Sequence, residues 1–223
     1  MMEPIVFEEF LFRTNFTERD MPFLQANKIS HVVSLRDMAS IDAMMIMPWH
    51  YCVSLISKIG LVGAPEIKVY ARCPVHLEQI EASQLQIGQR FVYRKKYTAI
   101  MENFRHMFKD FSVKRGIAQL TPMIILGKDL QENPCLAHYL PPIVEAHDSR
   151  RIIMDGINRN FVAYQSGPIE SIVVEKVNVT FPCEARPWDD ISVVDDKPRE
   201  QSDRYFDFRP ELFRDLKSIG IDG

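Results

Sequence analysis

Residues 141–167 read PPIVEAHDSRRIIMDGINRNFVAYQSG, and their order leaves the backbone few options. Ile143 to Val144 and Ile152 to Met154 are short apolar runs on either side of a polar turn, His147 to Arg150, which predicts a strand, a tight connection and a second strand. The second strand runs into Asp155 and Gly156. Beyond them, Phe161, Val162, Tyr164 and Gln165 follow Asn158 and Arg159 with the spacing of a helix that Gly167 closes. The first amides of a helix lack intrahelical acceptors and sit at the positive end of its dipole, so phosphate or carboxylate is stabilised there. Gly156 lets the backbone approach such a ligand, and Arg159 adds a guanidinium fork. The same five residues, Asp155 to Arg159, also suit a plain turn, with Asn158 as a cap and Arg159 paired to a carboxylate.

Acid–base groups gather around the same stretch. Glu145, His147, Asp148 and Asp155 lie on or beside the expected hairpin. A carboxylate here can act as a base toward a hydroxyl or hold Mg²⁺ between phosphates, and His147 can serve as an acid or base. Asp155 and Glu145 are therefore the leading catalytic candidates, with Asp155 also the candidate metal ligand. Strand alternation puts Glu145 on the face opposite Val144, either toward solvent or into a cleft. The GxxxxGK[ST], HExxH and GxSxG patterns are all absent.

A net charge of −3 gives no global basic field, which disfavours nonspecific binding to nucleic acid. Locally the balance reverses. Between Arg90 and Arg115 stand eight basic residues against Glu102 and Asp110. Tyr97, Ile100, Met101, Phe104, Met107, Phe108 and Phe111 recur there at helical spacing, which predicts an amphipathic helix with Arg94, Lys95 and Lys96 at its head. Those charges are either its solvated face or the second half of a phosphate site opposite Gly156.

The segment IIMDGINRNFVAYQSG followed by PIESIVVEKV resembles the signature of the ParB/sulfiredoxin-like superfamily, in which a strand ends in Asp-Gly and the next helix opens with a polar residue and an arginine. Its members include partition proteins that bind and hydrolyse CTP, sulfiredoxin, and free-serine kinases with a nucleotide phosphate donor. The resemblance spans residues 84–182 and implies an α/β (α+β) fold with a mixed-sheet core. It also implies nucleotide phosphates (ATP, ADP or CTP) against Gly156 and Arg159, with Asp155, Asn158, Arg94, Lys95 and Lys96 nearby, and Mg²⁺ with the nucleotide. Ile157 and Asn158 stand where kinase-like members carry histidine, and sulfiredoxin's cysteine is absent.

Around that core, residues 1–83 are expected to form an N-terminal α/β elaboration, with strands at 4–12 and 29–35, a helix from Thr17, and two helices meeting near Pro48 within 40–60. Strands are expected at 67–71, 121–126, 171–179 and 191–194. Residues 127–140 read as an inserted loop with a short helix at 136–140, placed to act as a lid. In the segment 183–223, Leu212, Phe213, Leu216 and Ile219 predict a terminal helix with one apolar face. The cysteines at 52, 73, 135 and 183 show neither metal nor disulfide spacing. With no basic leader and no long apolar run, the chain reads as a soluble cytoplasmic protein. The leading expectation is nucleotide-dependent phosphoryl transfer to a small-molecule acceptor, or nucleotide hydrolysis. A nucleic-acid-binding or nuclease role and a non-catalytic interaction module stay open beside it, as does the oligomeric state.

Overall fold

The computed structural model describes residues 29, 31–107, 120–164, 167–195, 200 and 202–221. In chain order the elements are β1 (Val32–Val33), β2 (Met38–Ile46), α1 (Trp49–Ser57), β3 (Val75–Ile80), β4 (Phe91–Tyr93) and α2 (Arg94–Met107). They continue with β5 (Met123–Asp129), β6 (Pro134–Tyr139), β7 (Ile143–His147), β8 (Arg150–Asp155), α3 (Ile157–Ala163), β9 (Ile169–Val174) and β10 (Ser192–Val194). Mixed sheets with helices make this an α+β fold, as the sequence implies. The chain divides into two compact units, each assembled from separated segments: residues 1–58, 121–140 and 216–223 in one, and residues 59–120 and 141–215 in the other.

The first unit holds a sheet in the order β1-β6-β5-β2, antiparallel except for the parallel pair of β1 with β6. Its buried members include Met45, Met47, Cys52, Ile56 and Ile125. Two expectations fail here. The methionine-rich run before Pro48 is strand β2, not a helix, because its residues pair along β5, and only α1 after Pro48 is helical. Residues 134–139 are strand β6, not a lid, since Cys135 and Ala137 are fully buried against β5 in a hairpin. Gly127 is required where these strands meet, because a Cβ there would lie 2.0 Å from the Ser40 carbonyl oxygen. His138 is held by two contacts: Nδ1 donates to the Ile219 carbonyl at 3.1 Å, and Nε2 accepts from the Tyr51 hydroxyl at 3.2 Å. Burial holds that imidazole below its ordinary pKa.

The second unit carries residues 141–167. Its sheet runs β3-β9-β7-β8, with β7 and β9 parallel and the other pairs antiparallel. The expected strand, turn, strand and helix over 143–163 are all present. Alternation along the β7–β8 hairpin gives each face a separate core. Val144 and Ile153 pack with Ile157, Val173 and Trp188, whereas Ile152 packs with Phe181, Cys183 and Tyr205. Helix α2 lies against α3, with the Tyr97 and Phe161 rings 5.4 Å apart, and β10 pairs in parallel with β4.

Elsewhere the local readings shift. Residues 67–71 form turns rather than a strand, and the strand of that region is β3. Among the described residues of the 29–35 run, only Val32–Val33 form a strand. The terminal segment forms two 3₁₀ turns, Pro210–Leu212 and Leu216–Ile219, in place of one helix, and these fall in different units. The readings at 4–12 and from Thr17, and the continuation of α2 past Met107 to Phe111, lie outside the described residues.

Ile172 is fully buried at the centre of this sheet, opposite Leu77 on β3 and Ile143 on β7. Ile172→Ala is expected to lower unfolding free energy by about 2–5 kcal/mol, read from the denaturant midpoint.

Candidate functional site

The hairpin separates the sequence-predicted residues into two groups. Ile143 pairs with Asp155 at one end and His147 with Arg150 at the other. Asp155, Gly156, Asn158 and Arg159 therefore sit at the base, while Glu145 and His147 sit toward the tip. The five residue steps along β8 from Arg150 to Asp155 span roughly 16 Å.

At the base, Gly156 adopts φ 88 and ψ 23, a left-handed conformation that only glycine takes without strain. It also has no room for a side chain. A Cβ would lie 2.8 Å from Pro142 Cβ and 3.0 Å from Arg159 Nη2. The guanidinium of Arg159 therefore lies over the open face of the glycine. Asp155, the last residue of β8, fixes it there, accepting from Nη2 at 2.7 Å, with both side chains mostly shielded from solvent. The Gly156 carbonyl takes the first helical bond, from the Asn160 amide at 2.9 Å, and a second from Asn160 Nδ2 at 3.1 Å. Asn158 is not the cap: Gly156 holds that position, and Asn158 Oδ1 is buried with no hydrogen-bond partner among the described residues.

The basic head of α2 belongs to the same pair of helices. Arg94 is engaged by Asp195, donating from Nε at 2.7 Å, and by the Tyr97 hydroxyl at 3.2 Å. Lys95 is exposed and Lys96 half-buried.

The other group is a buried charge cluster. Glu145 is fully buried, which excludes a solvent-facing position. Arg214, also without exposed side-chain surface, grips it through two bonds, Nε to Oε1 at 2.7 Å and Nη2 to Oε2 at 2.8 Å. The Tyr70 hydroxyl donates to Oε1, and His147 Nε2 lies 2.6 Å from Oε2. Arg214 further donates to the backbone carbonyls of Leu212, Thr180 and Val179. Burial by itself would raise the pKa of Glu145. Hydrogen bonds from His147, Arg214 and Tyr70, with the charge of Arg214, outweigh it and hold the carboxyl below its ordinary value. The ionised carboxylate can only accept, so the proton shared with His147 lies on Nε2. Burial, reinforced by Glu145, pushes the Tyr70 hydroxyl well up and keeps it a donor.

Arg214 and Tyr70 escape sequence reading. Arg214 falls off the apolar face expected for a terminal helix, and only the 3₁₀ and extended path of residues 210–215 turns it inward. Nothing local marks Tyr70 as its partner.

The strand that ends in Asp155–Gly156 and the helix that opens with Asn158 and Arg159 form the segment that resembles the superfamily signature. A family model described as the ParB CE domain matches residues 52–192, more than half of the chain. The chain belongs to this family. Neither the curated proteins nor the solved structures contain a match to it. The ParB CE match takes in the whole hairpin, the Gly156 junction and α2, but stops short of Arg214. No described helix is long and apolar enough to cross a membrane.

The buried pair makes stability depend on pH with a definite sign. Because Glu145 has a lower pKa folded than unfolded, its contribution is present above the unfolded value of about 4.3 and is lost as pH falls through the folded value. Below about pH 4 the melting temperature of the native chain should fall more steeply than that of Glu145→Gln. Arg214→Ala strands the carboxylate and should cost about 3–5 kcal/mol at neutral pH, measured by chemical denaturation.

Proposed function

We propose that this ParB-family chain binds a nucleotide through its phosphates at the Gly156 junction and moves a phosphoryl group to a small-molecule acceptor or to water. The observation that carries the reading is the Arg159 guanidinium lying 3.0 Å from where a Gly156 side chain would begin, held in place by Asp155. A phosphate at that face meets a fork of donors already oriented, so little ordering of the protein opposes binding. Asn158 Oδ1, a buried acceptor without a donor, suits a ligand N–H or O–H rather than a phosphate oxygen. It fits a base or sugar group of the same molecule.

The donor set also bears on Mg²⁺. Among the described residues no group of three or more His, Cys, Asp or Glu side chains is placed to hold a metal. Asp155 fits as one ligand to an ion carried chiefly by the nucleotide's own phosphates, which is the usual arrangement for Mg²⁺. Bound there, Mg²⁺ would supply charge neutralisation during transfer. Asp155 has two duties in this reading: it orients Arg159, and it stands closest to the junction as a proton acceptor or metal ligand. Lys95 and Lys96 on the neighbouring helix add positive charge to the approach of an anion. Glu145 does not share this role, because it lies toward the other end of the hairpin and is fully engaged by Arg214, Tyr70 and His147.

Thermal-shift and calorimetric titration with ATP, CTP, GTP and ADP, each with Mg²⁺, should give saturable stabilisation by at least one nucleotide. Arg159→Ala should weaken that binding roughly 10- to 100-fold, the size of one lost charge-assisted interaction. Absence of any nucleotide response, or an unchanged response in Arg159→Ala, overturns the proposal.

A further inference from the structure

We propose that a cavity at the tip of the β7–β8 hairpin is a second ligand site, built for a small zwitterionic molecule. It lies in the second unit and has a volume of about 440 Å³, within the range of small-molecule sites. Three separated stretches line it: the tip itself, residues 177–185, and the segment of Asp207 and Arg209. The inference does not rest on the nucleotide reading, since the tip is roughly 16 Å along β8 from Asp155.

One wall is preorganised. His147 lines the cavity with 11% of its side chain exposed, and its orientation is fixed by the fully buried Glu145 behind it. The Phe181 ring and the imidazole meet edge to face, with centroids 6.0 Å apart. When the imidazole is neutral its Nε2 proton serves Glu145, so Nδ1 is the acceptor left for a ligand. Asn178 and Thr180 supply neutral donors and acceptors in the same wall.

The charges on the wall decide the ligand class. Glu184 is committed to Arg186 at 2.9 Å, and Arg209 donates to the Phe181 carbonyl at 2.8 Å with Asp207 at 3.7 Å from its Nε. That leaves Asp148 and Arg150, which carry no ion pair among the described residues. An anion alone would answer Arg150 and repel Asp148, and a cation alone would do the reverse. A molecule bearing both signs answers both. Asp148 takes its left-handed backbone (φ 53) in the two-residue turn between β7 and β8, which sets it at the rim of the cavity.

The cysteine in this wall is not a nucleophile. Burial pushes the Cys183 thiol up to about 12, so it stays protonated at neutral pH. The site is thus one of recognition by charge and hydrogen bonding.

The test uses the full chain, following the backbone amide resonances of Asp148, Ser149 and Arg150. The probes are three zwitterions, L-alanine, L-glutamine and taurine, with acetate and ethylammonium as half-ligands. At least one zwitterion should move these signals saturably at millimolar concentration, with both half-ligands on the order of tenfold weaker. Asp148→Asn keeps a residue that tolerates left-handed backbone, and Arg150→Gln alters an exposed position. Each variant should keep the native melting temperature and nucleotide response while weakening the zwitterion by about tenfold or more. No saturable shift with any of the three zwitterions, equal affinity for acetate or ethylammonium, or native affinity in both variants would overturn the inference.

Discussion

The second unit depends on the buried pair of Glu145 and Arg214. Two charges without solvent are costly, and such a pair survives only when geometry is close and every remaining donor and acceptor is answered. Here it is. The guanidinium meets both carboxylate oxygens and three backbone carbonyls, while Tyr70 and His147 complete the carboxylate. The consequence is positional. Four stretches far apart in sequence, around residues 70, 145, 180 and 214, are tied to one point. The β7–β8 hairpin is held by apolar packing on both faces, and on the face away from α3 the buried ion pair stands beside the Ile152 cluster.

A hairpin fixed at its middle presents two ends whose geometry cannot drift. At the base the strand exits through Gly156 into α3, and Asp155 aims Arg159 back over the glycine. At the tip the turn carries Asp148 and Arg150 above a cavity whose wall includes His147. His147 links the cluster to that cavity, because one nitrogen serves Glu145 while the ring reaches the wall. The first end lies within the matched family region. The second is built largely from residues 177–185 and 207–209, partly beyond the matched family region.

Legibility in the sequence followed the range of the forces involved. The hairpin, the glycine junction, α3 and the start of α2 were readable because turn chemistry, strand alternation and helical spacing act over a few residues. The run before Pro48 misled for the same reason. Met44, Met45 and Met47 suit a helix locally, but pairing with β5 decides for a strand. Residues 127–140 read as an inserted loop with a short helix at 136–140, but pairing with β5 makes 134–139 the buried second strand of a hairpin.

What the sequence determined by itself is the passage from β8 through Gly156 into α3, with Arg159 in the first turn. Turn chemistry and helical spacing act over these few residues, and Gly156 takes its positive φ without strain. Only the tertiary structure decided that Glu145 is a buried anchor, that Asp155 and His147 belong to different ends of the hairpin, and that Arg214 closes the cluster. An ion pair between residues 69 positions apart leaves no periodic trace in sequence, since its partners are selected by the packing of the sheet and not by spacing along the chain.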